Sequence, residues 1–182
     1  EEVMLAKKLI NLHPWAGMAK FARSGGEANA IAIRIARAST GKENVAICGY
    51  HGWHDWYLAA NLGKESSLDG HLLPGLKPKG VPRKLKDSIF PFKYNDLENL
   101  KYLIQNNNIG IIKMEVSRSK QPSKGFLESI RSLATKNNII LIFDECTSGF
   151  RETLGGLHLK YGINPDLAIL SKALGNGYAI SA

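Results

Sequence analysis

The pattern of hydrophobic positions alternates between helical spacing and short, continuous apolar runs. Helical spacing marks four segments, 1–12, 24–38, 55–62 and 126–136, and a cap at 95–98 marks the start of a fifth helix. Short apolar runs predict six strands: 19–22, 45–48, 89–92, 109–115, 139–143 and 167–170. Helices that alternate with continuously apolar strands predict an α/β fold, with a mostly parallel sheet covered by helices on both faces. The long segment 63–87, rich in Gly, Pro and Lys, is predicted to be a loop.

The second predicted helix begins with a capping box, in which Ser24 is followed three residues later by Glu27. Between them lie Gly25 and Gly26, which allow backbone N–H groups to approach an anion closely. The partial positive charge of a helix N-terminus favours the same kind of ligand. The segment is therefore a candidate phosphate site, and a plain helix cap is the alternative.

Three ionisable residues lie at or just after the ends of predicted strands: Glu115, Asp144 and Lys172. Ligands of parallel sheets collect at the carboxyl ends of the strands, so these side chains mark the candidate site. A carboxylate at the end of a buried strand needs a cationic partner, which a protonated ring nitrogen would supply. An amine in such a place is a candidate nucleophile toward a carbonyl group, and a surface lysine is the alternative.

An apolar strand that ends in two acids is also typical of magnesium-binding nucleotide hydrolases. Those proteins carry the phosphate loop G-x-x-x-x-G-K-[ST] upstream of the acidic strand. Here Gly41-Lys42 is followed by Glu43 and lacks the first glycine, so the sequence disfavours this function.

The turn after the second strand carries Tyr50, His51 and His54. Two histidines permit a metal site, but no third ligand lies at suitable spacing, and we predict that no metal is bound. An aromatic face that stacks on a planar ring is the preferred interpretation.

Composition and charge add limits. The 182 residues are enough for one domain. The net charge of +8 requires a nucleic-acid partner to be considered. Much of the excess lies in one stretch without interleaved aromatics, which predicts a solvated or substrate-facing loop: Lys77, Lys79, Arg83, Lys84 and Lys86.

No apolar run is long enough to span a bilayer, so no membrane contact is expected. Cys48 and Cys146 are predicted to be buried free thiols in a reducing cytoplasm.

Four segments, in chain order, resemble the class III aminotransferases, and more narrowly the glutamate-1-semialdehyde aminotransferase branch. They are 21–29 (FARSGGEAN), 50–52 (YHG), 143–151 (FDECTSGFR) and 165–173 (PDLAILSKA), with 94–97 (YNDL) as a further match. Gly26 stands where the family has threonine, and Cys146 where it has valine. Family members use pyridoxal 5'-phosphate, which needs a phosphate seat, a ring stacker, a carboxylate and an amine.

The resemblance implies the large domain of the aspartate-aminotransferase fold (PLP fold type I). We expect residues 1–182 to form that single cofactor-binding domain, truncated at both ends, with the small substrate domain absent. The implied activity is transfer of an amino group between an amine or amino acid and a carbonyl compound, in a cytoplasmic homodimer of the full-length protein. A PLP-dependent aminomutase is the alternative, and a non-catalytic relative or a basic nucleic-acid-binding domain is a more remote one.

The resemblance also implies a role for each residue of the candidate site. Lys172 would form the Schiff base with the cofactor, and Asp144 would pair with its ring nitrogen. The remaining cofactor contacts are shared among the phosphate segment, the two ring faces and their neighbours: Ser24, Gly25, Gly26, Tyr50, Cys146, His51 and Glu115.

Overall fold

The computed structural model describes residues 1–71 and 73–182, and a five-stranded sheet lies at its centre. The strands are β1 (Asn44–Cys48), β2 (Ile89–Pro91), β3 (Ile109–Glu115), β4 (Ile140–Glu145) and β5 (Leu167–Leu170). Their order is β2-β1-β3-β4-β5, and each neighbouring pair is parallel. The predicted parallel sheet is confirmed.

Helices cover both faces of the sheet, also as predicted. They are α1 (Glu2–Leu12), α2 (Gly25–Thr40), α3 (Asp55–Leu58), α4 (Leu97–Asn106), α5 (Phe126–Lys136) and α6 (Leu157–Tyr161). Helix α2 packs on one face, against β3, β4 and β5, and α4 and α5 pack on the other. Successive strand residues point to opposite faces, so Ile111 and Ile142 join the core under α2 while Ile112 and Phe143 join the core under α4 and α5.

The carboxyl ends of β1, β3, β4 and β5 meet at one edge of the sheet. The strand order reverses between β1 and β3, and crevices at such a reversal are the usual ligand sites of parallel α/β sheets. Every second residue of a strand points to the same face of the sheet. Lys113 and Glu115 therefore lie on the α2 face with Ile111, and Asp144 lies there with Ile142. The fold therefore gathers ionisable side chains beneath the N-terminus of α2.

Two local predictions were wrong, and one short helix was missed. Residues 19–22 form no strand, because Ala22 alone pairs, in an isolated antiparallel bridge with Ser181, before the chain enters α2. The helix predicted up to Leu62 is a four-residue α-helix followed by a 3₁₀ turn over Ala59–Asn61. Helix α6 was not predicted, since its five residues between two glycines give little periodicity.

The predicted loop 63–87 consists of turns and one 3₁₀ turn, Arg83–Leu85, over its described part, and Leu72 within it lies outside the described residues. The five cations noted in the sequence are all exposed: Lys77, Lys79, Arg83, Lys84 and Lys86. Both cysteines are buried free thiols, as predicted. No helix in the described part of the chain is long and apolar enough to cross a membrane.

Candidate functional site

Asp144, at the end of β4, is a buried carboxylate with three partners. Its Oδ2 accepts a hydrogen bond from His51 Nδ1 at 2.8 Å and lies 3.8 Å from the ammonium nitrogen of Lys113. Its Oδ1 accepts the backbone N–H of Cys146 at 3.0 Å. A carboxylate offers about four acceptor positions and two of them accept hydrogen bonds here, so acceptor capacity remains for a further donor such as a ring N–H.

These partners fix the charges of the cluster. Burial alone would raise the pKa of the Asp144 carboxyl, but Lys113 and then His51 outweigh burial and hold that pKa well below its usual range. Burial lowers the pKa of His51 to about 4, against the opposing hydrogen bond to Asp144. His51 is therefore neutral near pH 7 and donates its Nδ1–H to an ionised Asp144.

Lys172 lies two residues after the end of β5 and adopts a left-handed backbone conformation, with φ of 48°. A side chain with a β-carbon is uncommon in that region, and such strain concentrates at functional sites. Its amine is exposed and donates to the Thr147 hydroxyl at 3.2 Å. Burial is the main cause that raises the pKa of the Cys146 thiol. The charge of nearby Lys172 opposes that rise.

The N-terminus of α2 lies against the same edge of the sheet. Ser24 Oγ accepts the N–H of Glu27 at 3.2 Å, and Ser24 O accepts that of Ala28, which confirms the predicted cap. A Cβ added at Gly25 would lie 2.8 Å from Cys146 Sγ and 3.5 Å from Ser171 Oγ, so glycine allows the helix end to approach the strand ends closely. The first amides of a helix lack partners within the helix, which leaves those of Gly25 and Gly26 for an anion.

Tyr50 is half-buried in the turn after β1, and its ring packs edge-on against Tyr57 with centroids 5.9 Å apart. Its backbone N–H donates to Glu115 Oε2 at 3.2 Å. The other carboxylate oxygen of Glu115 accepts from Arg118, with Nε at 2.8 Å. Burial raises the pKa of Glu115, and Arg118 opposes that rise. Glu115 therefore orients the turn that carries Tyr50.

The donor set suits pyridoxal phosphate. Near Gly25, Asn29 donates to the Gly25 carbonyl at 2.8 Å and contacts Cys146 Sγ at 3.9 Å. Its Oδ1 and the Nε2 of His51 are buried and have no hydrogen-bond partner among the described residues. An acceptor position on Asp144, free helix amides and unpaired buried polar atoms at one strand edge are features that a bound polar ring and phosphate would use.

Beside this cluster lies a cleft of about 750 Å³. Its walls include Glu115 and Arg118 but not Asp144 or Lys172, and most of its charge is positive, from Lys64, Lys93 and Lys120. Arg118 connects the cleft to the cluster, because its Nη2 donates to Thr147 Oγ1 at 3.0 Å, the oxygen that Lys172 also contacts.

The predicted site residues thus lie together, although His54 does not join His51 in one site. His54 instead lies beside Gly26, where an added Cβ would be 2.9 Å from its Nε2. Across the described ranges, no group of three or more His, Cys, Asp or Glu is arranged to hold a metal ion.

Sequence reasoning missed three site residues: Lys113, Arg118 and Thr147. For Lys113 a signal existed, since a lysine interrupts an otherwise apolar strand. Arg118 and Thr147 follow strand ends in segments without periodicity, where the sequence gives no direction to a side chain.

Solved transaminases share this fold. An omega-transaminase from Sphaerobacter thermophilus superposes with a TM-score of 0.83 at 29% identity, over 99% of this chain and 43% of that one. A transaminase with PLP bound superposes with a TM-score of 0.73 at 25% identity, over 88% of this chain and 38% of that one. The chain therefore has the α/β architecture of PLP fold type I.

The aminotransferase class-III family matches residues 1–182, and the chain belongs to that family. It is 40% identical to a 3-aminobutyryl-CoA aminotransferase from Cloacimonas acidaminovorans, over 98% of this chain and 41% of the relative. It is 38% identical to a glutamate-1-semialdehyde 2,1-aminomutase from Methanobrevibacter smithii, over all of this chain and 43% of the relative. The chain thus spans about two fifths of the length of these relatives.

Proposed function

We propose that the full-length protein is a pyridoxal-phosphate-dependent class III enzyme that transfers an amino group between an amine or amino acid and a carbonyl compound. Lys172 is the proposed attachment point of the cofactor. When bound, pyridoxal phosphate supplies an aldehyde that takes up amines and a ring that accepts electrons from the adjacent carbon.

The observation that carries this proposal is that a carboxylate, an amine and a helix N-terminus meet at the carboxyl ends of the strands. The end of β4 carries an ionised carboxylate, the end of β5 carries an amine on a strained backbone, and the N-terminus of α2 approaches both. Thr147, three residues after Asp144, accepts a hydrogen bond from the Lys172 amine. The arrangement supports one ligand with an aldehyde, a basic ring nitrogen and a phosphate.

Each residue then has a task that it performs with its own atoms. The amides of Gly25 and Gly26, with Ser24 beside them, bind the phosphate at the helix N-terminus. Asp144, ionised at neutral pH, would hold a proton on the ring nitrogen. Tyr50 and Cys146 would pack against the two faces of the ring.

The remaining residues orient or move protons. His51 fixes the Asp144 carboxylate through its 2.8 Å hydrogen bond, and Glu115 fixes the turn that carries Tyr50. The Lys172 amine would hold the aldehyde carbon of the cofactor and, when free of it, would serve as the general base that moves a proton between the substrate carbon and the cofactor.

An aminomutase is a second candidate function, favoured by the 38% identity to the glutamate-1-semialdehyde 2,1-aminomutase of M. smithii. Such an enzyme moves the amino group within one substrate. The same lysine, carboxylate and phosphate seat serve both reactions, and the difference lies in which carbonyl compound receives the group.

Three further parts of the proposal concern the whole protein. We propose that residues 1–182 belong to one cofactor-binding large domain, and that the full-length protein forms a homodimer, on the strength of the family resemblance. The two buried free thiols support a reducing compartment, and a cytoplasmic location is proposed on that basis.

The test uses the full-length protein reconstituted with pyridoxal phosphate and treated with a panel of amines and amino acids. An active donor should shift the visible absorbance and release a carbonyl product, and Lys172→Ala should abolish release. Lys160→Ala, which removes an exposed lysine paired with Glu152, is the matched control and should remain active. With an ¹⁵N-labelled donor, label in a second molecule indicates transfer and label moved within one molecule indicates a mutase. Absence of carbonyl product and of label movement with every amine would contradict the proposal.

A further inference from the structure

Lys113 is a fully buried lysine in the middle of β3, between Ile112 and Met114. Its ammonium nitrogen has no hydrogen-bond partner among the residues that the structure describes. Moving an ammonium group from water into the protein interior without hydrogen bonds costs on the order of several kcal/mol of folding free energy. A methionine at this strand position would avoid that cost, so the stability of the fold does not account for the lysine.

The acid that faces Lys113 belongs to the candidate site. Asp144 Oδ2 lies 3.8 Å from the ammonium nitrogen, and the same oxygen accepts the Nδ1–H of His51. Burial is the largest influence on the pKa of Lys113 and lowers it. Asp144, then Cys146 and Glu115, oppose that change.

Lys113 is the one lysine or arginine side chain within 4 Å of the Asp144 carboxylate among the described residues. His51, the other partner, is neutral near pH 7 because burial and the nearby charge of Lys113 keep its pKa low, with a smaller contribution from His71. A carboxylate that is held ionised gives up a shared proton to a bonded ring nitrogen rather than keeping it. The position of Lys113 therefore bears on where that proton resides.

We propose that Lys113 is a positioning residue whose buried ammonium keeps Asp144 ionised and His51 neutral, so that Asp144 holds a proton on the ring nitrogen of the bound cofactor. The charge states of Lys113, Asp144 and His51 exist without any cofactor. Only the last step, the proton on the ring, rests on the proposed function.

The first test uses the cofactor-free full-length protein and follows the His51 ring by NMR as the pH is lowered. Lys113→Met replaces the ammonium with an apolar chain of similar length and should raise the His51 midpoint by about one pH unit or more. Lys136→Met removes the same charge from an exposed position at the end of α5 and should leave the midpoint in place. Equal midpoints in Lys113→Met and the wild type would overturn the proposal.

A second measurement needs no variant and covers the case in which Lys113→Met fails to fold. In wild-type protein labelled with ¹⁵N-lysine, Lys113 should give a buried ammonium signal at pH 7. A neutral amine signal for Lys113 at that pH would overturn the proposal.

A third measurement addresses the cofactor. With ¹⁵N in the pyridine ring of added pyridoxal phosphate, the wild type should show a protonated ring nitrogen at pH 7, and Lys113→Met should move the signal toward the neutral form. An unchanged ring signal would refute the last step of the proposal. The His51 titration would still test the charge states of Lys113, Asp144 and His51. Failure of the protein to bind the cofactor would refute the proposed function alone.

Discussion

Asp144 and Glu145 are consecutive residues whose carboxylates lie on opposite faces of the sheet and bind different partners. Asp144 faces α2 and contacts His51 and Lys113. Glu145 faces the other way and accepts the backbone N–H groups of Leu157, and of His158 at 2.9 Å, at the start of α6. Because strand side chains alternate, one acid of the pair serves the candidate site and the other anchors a helix.

Replacing Asp144 with asparagine should destabilise the cofactor-free protein. The variant leaves the Lys113 ammonium buried without its acidic partner, and breaking a buried pair in this way costs about 3 kcal/mol or more. The measurement is the free energy of unfolding in urea. Glu65→Gln, which breaks the exposed pair with Lys77, is the control and should change little, because exposed pairs contribute little. Equal stability of Asp144→Asn and the wild type would show that Asp144 does not pair with a buried cation.

His51 should make stability depend on pH. Its pKa is about 4 in the folded chain and 6.5 when unperturbed, so the unfolded chain binds the proton first as the pH falls. The resulting contribution, about 3 kcal/mol, is fully present above pH 6.5 and is lost progressively as the pH falls toward 4. His51→Asn, which retains an N–H near Asp144 but cannot titrate, should flatten the unfolding free energy over this range. A slope equal to that of the wild type would contradict a buried, neutral His51.

The contact between α2 and the end of β4 should resist an added methyl group. Alanine is a better helix former than glycine, yet Gly25→Ala should lower the free energy of unfolding by about 1–3 kcal/mol, because its Cβ would meet Cys146 Sγ at 2.8 Å. Gly17→Ala, with nothing within 4 Å, is the control and should not destabilise the protein. Combining Gly25→Ala with Cys146→Ala should recover part of the loss, with a coupling of about 1 kcal/mol. Strict additivity of the two substitutions would refute this close approach.

The Thr147 hydroxyl should matter to Lys172. Thr147→Val removes the oxygen that accepts from both Lys172 and Arg118, at 3.2 and 3.0 Å. One hydrogen bond to a charged group is worth about 1.5–3 kcal/mol, so attachment of added pyridoxal phosphate should slow about tenfold or more. Stopped-flow absorbance measures that rate, and Thr147→Ser, which keeps the hydroxyl, should react nearly as the wild type does. If the serine variant were as slow as the valine variant, the hydroxyl would not be the cause.

The regular elements were predictable from the sequence to the extent that their own periodicity determines them. The range of β3, Ile109–Glu115, and that of α5, Phe126–Lys136, agree with the prediction because both combine a clear period with clear ends. Residues 19–22 have strand-like composition, but pairing depends on a distant neighbour, and in the described part of the chain Ala22 alone pairs, with Ser181. Local pattern carries no information about that partner.

The candidate site was predictable where residue type coincides with the end of a strand or the start of a helix, as for Asp144, Lys172 and Ser24. The pairing of Asp144 with Lys113 depends on the register of β3 and β4, in which Lys113 lies opposite Ile142 and Glu115 opposite Asp144. Neither register nor the direction of the Arg118 side chain follows from spacing along the chain. Those contacts are tertiary, and they set the charges on which the proposed chemistry depends.

The assignment of Lys172 as the attachment point is tested most directly by reducing the reconstituted full-length protein with borohydride and mapping the pyridoxyl mass by peptide mass spectrometry. The account predicts that the mass increase falls on the peptide that contains Lys172, and on that lysine alone. A pyridoxyl group on Lys113 or on any other lysine, or no modification at all, would contradict it.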